Sequence, residues 1–133
     1  MKAPRIELRV DLAPTLEALE SFCLEFRHWR PIACPDLDAF SSELLLREAL
    51  TNSVVHGSTE DPGGRVSCVL RVKRGRLIIA IRDGGKGFDW RAAWDRRADS
   101  WDTHGRGIEI LRNYASAVRF NPAGNSVTLI QRF

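Results

Sequence analysis

A two-residue hydrophobic period commits the middle of the chain to a β-hairpin. Val66, Cys68, Leu70 and Val72 alternate with more polar residues, and the turn Lys73-Arg74-Gly75 leads into the apolar run Leu77-Ile78-Ile79-Ala80-Ile81. Alternation of this kind lays one side of a strand on a core, and a short continuous apolar run reads as a buried strand. The run ends in Asp83-Gly84-Gly85-Lys86-Gly87-Phe88, an acid followed by three glycines within four residues. Glycine lets a backbone turn sharply and approach a ligand closely. The acid at the strand end offers a fixed hydrogen-bond acceptor. Taken alone, the segment also fits a loop with spare glycines.

The rest of the chain mixes both periods. Ile6, Leu8 and Val10 alternate with charged residues as in a half-buried strand. Leu16, Leu19, Phe22, Cys23 and Phe26 recur at helical spacing, predicting a helix from about Thr15 to Trp29 that Arg30-Pro31 ends. A second helix is expected from Pro35-Asp36, with Asp36 as its cap, to about His56, where Gly57 stops it. A third spans roughly Arg106 to Tyr114. Two final strands, Ala117 to Phe120 and Val127 to Arg132, flank the turn Pro122-Ala123-Gly124-Asn125. Strands and helices mix without regular βαβ alternation. The expected fold is therefore α+β, a two-layer sandwich with one mostly antiparallel sheet and helices on one face. Residues 1–133 read as a single domain, with no repeat or linker.

Bulk composition excludes several classes. At 44% hydrophobic and 28% charged residues, the chain is an ordinary globular protein. A net charge of +3 is too weak to argue for nucleic acid. The basic cluster Arg71, Lys73, Arg74 and Arg76 sits at a hairpin tip and reads as a solvated turn. No apolar span is long enough to cross a membrane, and Met1 to Leu12 lacks the continuous apolar segment of a signal peptide. Cys23, Cys34 and Cys68 form no CxxC pair or metal-ligand spacing. They read as reduced, packed thiols of a cytoplasmic protein.

The segment Glu48-Ala49-Leu50-Thr51-Asn52-Ser53-Val54-Val55-His56-Gly57 carries the next signal. Glu48, Asn52 and His56 are spaced i, i+4, i+8 and share an arc of about 80°. Leu44, Leu45, Ala49 and Val55 occupy or border that arc. A carboxylate and an amide thus sit in an apolar stripe. The helix alone fits two readings equally: a functional pair, or polar side chains reaching out at a helix edge. Downstream, Gly105-Arg106-Gly107 opens the third helix, whose N-terminus offers unpaired N–H groups to a phosphate.

In this order the three segments resemble the nucleotide-binding boxes of the GHKL ATPase superfamily. The short length and the His56-Gly57 ending look most like the anti-sigma-factor serine kinases of the RsbW type. The resemblance runs from about Ile6 to Phe133 and implies the Bergerat fold, with ATP and magnesium as cofactors. By resemblance Asn52 coordinates magnesium, Glu48 is the general base for a serine hydroxyl, and His56 lies at the phosphate end. Asp83 would accept from the exocyclic amine of adenine, assisted by Thr128. Gly85 and Gly87 would pass beside base and ribose. Gly105, Arg106 and Gly107 would receive the phosphates.

The segment Asp89 to His104 corresponds to an ATP lid. It carries Trp90, Trp94 and Trp101, three of the four tryptophans, with Arg91, Arg96 and Arg97. A short helix packed on the core and a partner-docking surface fit it equally. The family function implied is that of a homodimeric protein-serine kinase. Such a kinase binds a sigma factor and phosphorylates a STAS-domain antagonist, without direct contact to nucleic acid or membrane. Two alternatives stand beside it: a non-catalytic, ATP-gated protein-binding regulator, and a detached histidine-kinase catalytic domain. The last lacks a preceding phospho-acceptor domain, so His56 is not read as a phosphorylated histidine.

Overall fold

In a computed structural model, the structure describes residues 6–60, 64–87 and 106–133, with backbone alone for 56–60 and 106–108. Strand β1 (Ile6–Leu12) leads into helix α1 (Leu16–Ala33) and helix α2 (Ala39–Glu60). The hairpin β2 (Val66–Lys73) and β3 (Arg76–Arg82) follows, then helix α3 (Arg106–Tyr114) and strands β4 (Ala117–Phe120) and β5 (Ser126–Arg132). The strands form one sheet in the order β1-β2-β3-β5-β4, with every pairing antiparallel. This is the expected α+β sandwich.

The β2–β3 turn explains itself chemically. Arg74 has φ 51° and Gly75 has φ 72°, two consecutive left-handed residues as a type I′ turn demands. One side of the sheet is dry. Val66, Cys68 and Leu70, then Leu77, Ile79 and Ile81, then Val127 and Leu129 are all buried. They meet Leu19, Phe22 and Phe26 of α1 and Leu45, Leu46, Ala49 and Leu50 of α2 in one core. The three cysteines are free and buried. Burial pushes the Cys68 thiol up to about 12 and raises Cys23 and Cys34 as well, so none is an activated nucleophile.

The helices differ from expectation at their ends. α1 does not stop at Arg30-Pro31 but runs on to Ala33, carrying Pro31 in its last turn. The Cys34 N–H donates to the Arg30 carbonyl at 2.8 Å, and Ala33 and Cys34 are buried, so the final turn is held from beyond the proline. The Arg30 guanidinium also donates to the Leu37 carbonyl at 2.8 Å. Asp36 is not the cap of α2. Asp38 is: its carboxylate accepts from Ser41 N–H at 2.8 Å, and its carbonyl accepts from Ser42 N–H. Gly57 does not end α2 either, since the helix continues to Glu60. Glycine inside a helix costs about 1 kcal/mol relative to alanine, which neighbouring turns can absorb.

Candidate functional site: a pocket between helix α2 and two loops

Two of the residues singled out in sequence come together from distant parts of the chain. Asn52 projects from α2, and Asp83 follows the last residue of β3. Both line one pocket, with Ala49, Ser53, Leu111, Phe120, Gly124, Asn125, Ser126 and Val127. The described residues enclose about 20 Å3 there, on the scale of a single water.

The α2 wall is set by packing. Leu45 and Leu46 are fully buried, as are Ala49 and Leu50 one turn on. This fixes the rotation of the helix and leaves Asn52 half-buried at the pocket. Glu48 lies one turn earlier on the same arc. It is half-buried but does not line the pocket. Val55, expected on the apolar stripe, is instead 51% exposed.

The opposite wall is set by hydrogen bonds. Asp83 is only 7% exposed. Its carboxylate accepts from the Gly85 N–H at 2.8 Å, closing an Asx turn in the glycine loop. Its own N–H donates to the Asn125 carbonyl at 2.9 Å. The Asn125 side-chain amide donates to the Gly85 carbonyl at 3.0 Å. Asn121 completes the stitching: its side-chain oxygen accepts from the N–H groups of Gly124, Asn125 and Ser126. Gly87 has φ 89°, and a Cβ there would stand 1.7 Å from the Ala123 carbonyl oxygen. Only glycine fits where these two loops touch.

The remaining expected residues are placed as follows. Gly85 is buried within the loop behind Asp83, and Gly87 rests on the β4–β5 turn. Thr128 does not join Asp83 and Asn52. Val127 and Leu129 on either side of it are buried towards the helices, so strand alternation turns Thr128 to the other face of the sheet. His56 lies on α2, and Arg106 and Gly107 open α3, all three within the backbone-only part. Gly105 and the lid Asp89 to His104 lie outside the described residues. Asn121 and Asn125 are the residues that sequence reasoning missed, having read Pro122 to Asn125 only as a turn. Their signal was faint: an asparagine on each side of Pro-Ala-Gly.

The pocket thus brings together a buried acid at a strand end, a helix amide and a glycine loop. The family described as "Histidine kinase-like ATPase domain" matches residues 12–131. The chain belongs to this family. Membership in a histidine kinase-like ATPase family implies an ATP site, and the pocket shared by Asn52 and Asp83 is the candidate for it. Among the relatives of the chain is an "Anti-sigma F factor" of Heyndrickxia coagulans, 30% identical over 105 residues, covering 73% of this chain and 70% of the relative. Proteins of the same name from Anoxybacillus flavithermus and Geobacillus kaustophilus are each 26% identical. They cover 73% and 72% of this chain and 70% and 69% of their own lengths. Among the described residues, no helix is long and apolar enough to cross a membrane.

Proposed function

We propose that residues 1–133 form one ATP-dependent protein-serine kinase domain that is also an anti-sigma factor of a bacterial partner switch. Its substrate would be a serine of a STAS-domain antagonist, and its held partner a sigma factor. It would work in the cytoplasm as a homodimer. The observation that carries this reading is the single pocket shared by Asn52 and Asp83. The names of the relatives support the sigma-factor role.

Within this reading each side chain has a task. Asp83 accepts from the adenine amine, a group that guanine lacks at that position, so a buried acceptor discriminates between the two bases. Asn52 would hold magnesium, which when bound neutralises phosphate charge. The donor set fits that ion. An amide oxygen is a suitable hard ligand, and magnesium usually takes few protein ligands and completes its shell with phosphate and water. Among the described residues, no cluster of three His, Cys, Asp or Glu side chains could hold a metal unaided. Glu48 takes the proton of the incoming serine hydroxyl as its oxygen bonds to the γ-phosphorus and the bond to the ADP oxygen breaks.

One observation favours a second reading, a non-catalytic, ATP-gated regulator: Glu48 does not line the pocket. The test is transfer of radiolabelled phosphate from ATP to a STAS-domain antagonist encoded in the same genome. Glu48→Gln should keep nucleotide binding and lose most of the transfer, since general-base catalysis contributes on the order of 10²–10⁴-fold. Transfer at the parental rate by Glu48→Gln would remove the general-base role. Tight ATP binding by the parent without transfer would favour the regulator.

A further inference from the structure

Asp83 cannot read a base unless its carboxylate is held still. A carboxylate free to rotate would present no fixed oxygen to the ligand. The structure shows one tie that holds it. One carboxylate oxygen is engaged by the Gly85 N–H at 2.8 Å. Gly85 is itself gripped at its other end, where its carbonyl accepts from the Asn125 side-chain amide at 3.0 Å. Asn125 is fixed in turn. Its side-chain oxygen accepts from the Asn121 amide at 2.6 Å, and its backbone carbonyl accepts from the Asp83 N–H at 2.9 Å. The bonds form a closed ring, Asp83 to Gly85 to Asn125 and back to Asp83. Glycine at 84 and 85 would leave this loop slack without such a tie, because glycine carries the largest backbone freedom.

We propose that Asn125 is the positioning residue for nucleotide-base selection. Through Gly85 it fixes the direction of the Asp83 carboxylate, and so sets how strongly the site prefers adenine over guanine. This rests on the reading of the pocket as an ATP site. Asn125 acts through the loop, so its loss falls on the base-selective part of binding and leaves the contribution of the phosphates in place.

The experiment is calorimetric titration of the full chain with ATP–magnesium and GTP–magnesium. The variants are Asn125→Ala, Asn125→Asp, Asp83→Ala and the double variant Asp83→Ala/Asn125→Ala. Asn125→Asp is nearly isosteric and replaces the amide donor by a charged acceptor; that charge repels both nucleotides alike, so the ATP-to-GTP ratio keeps the test open should Asn125→Ala fold poorly. One hydrogen bond is worth roughly 0.5–1.5 kcal/mol, or about 2- to 12-fold in affinity. Asn125→Ala should lose that much ATP affinity with GTP affinity unchanged, and both Asn125 variants should lower the ATP-to-GTP ratio. In the Asp83→Ala background, Asn125→Ala should cause no further loss of ATP affinity. Equal losses for ATP and GTP would show a merely structural role and overturn the inference. Additive losses in the double variant would put Asn125 on the nucleotide itself and overturn it too. If Asp83→Ala removes the preference and neither Asn125 variant does, the inference fails and the ATP site stands. If the parent shows no preference for ATP, both fall.

Discussion

The two walls of the pocket are built by different physics. The α2 wall is a helix face whose neighbours Leu45, Leu46, Ala49 and Leu50 are 0–1% exposed. Its position is set by close-packed apolar contact, which is insensitive to any one polar group. The opposite wall is two loops, Asp83 to Gly87 and Asn121 to Asn125, joined by a few hydrogen bonds and one glycine contact. Damage to the first wall should appear as lost stability. Damage to the second should appear as lost nucleotide binding in a protein that still folds.

The largest expected effect breaks the helix wall. Leu50→Ala empties a fully buried site and should destabilise the fold by about 2–5 kcal/mol, measured by urea denaturation. A loss below 1 kcal/mol would mean that α2 is not held by this core. Next comes the loop wall. Gly87→Ala must relieve both a left-handed φ and a 1.7 Å clash with the Ala123 carbonyl. It should separate the two loops at a cost of roughly 1–3 kcal/mol in strain. ATP affinity should fall by more than the denaturation midpoint suggests. Unchanged ATP affinity would show that the loop contact does not shape the site.

The smallest effect sharpens the helix side. The Ser41 N–H bond holds the Asp38 carboxyl below the usual carboxylate range. A lowered folded value adds stability that is complete above the unfolded carboxylate pKa and is lost as pH falls through the folded one. Asp38→Asn keeps a capping side chain but cannot titrate. The parent should therefore show a loss of melting temperature below about pH 4 that is smaller in Asp38→Asn. Identical acid profiles would mean that the cap does not contribute.

The difference between the walls also explains what could be read from sequence. The hairpin was legible because a period of two and an Arg-Gly turn at positive φ leave few alternatives. The rotation of α2 was legible in Leu45 and Ala49. The cap was not, since Pro35-Asp36-Leu37-Asp38 offers two acids. Leu37, 2% exposed, decides between them by burying itself just before the helix. The Asn125–Gly85 bond had no periodic signature, because a side-chain tie between loops depends on where the β4–β5 hairpin comes to lie. Thr128 was legible in principle. Val127 and Leu129 alternate with it as core residues, and that alternation outweighs the chemistry of an isolated hydroxyl.

The central claim is that Asn52 and Asp83 form one nucleotide site, with the metal dependence carried by the helix wall. Calorimetric titration of ATP into the parent and Asn52→Ala, with and without magnesium, tests it most directly. The parent should bind ATP more tightly with magnesium present. Asn52→Ala should lose most of that gain while keeping its metal-free affinity and its melting temperature. A variant that gains as much from magnesium as the parent would contradict the account.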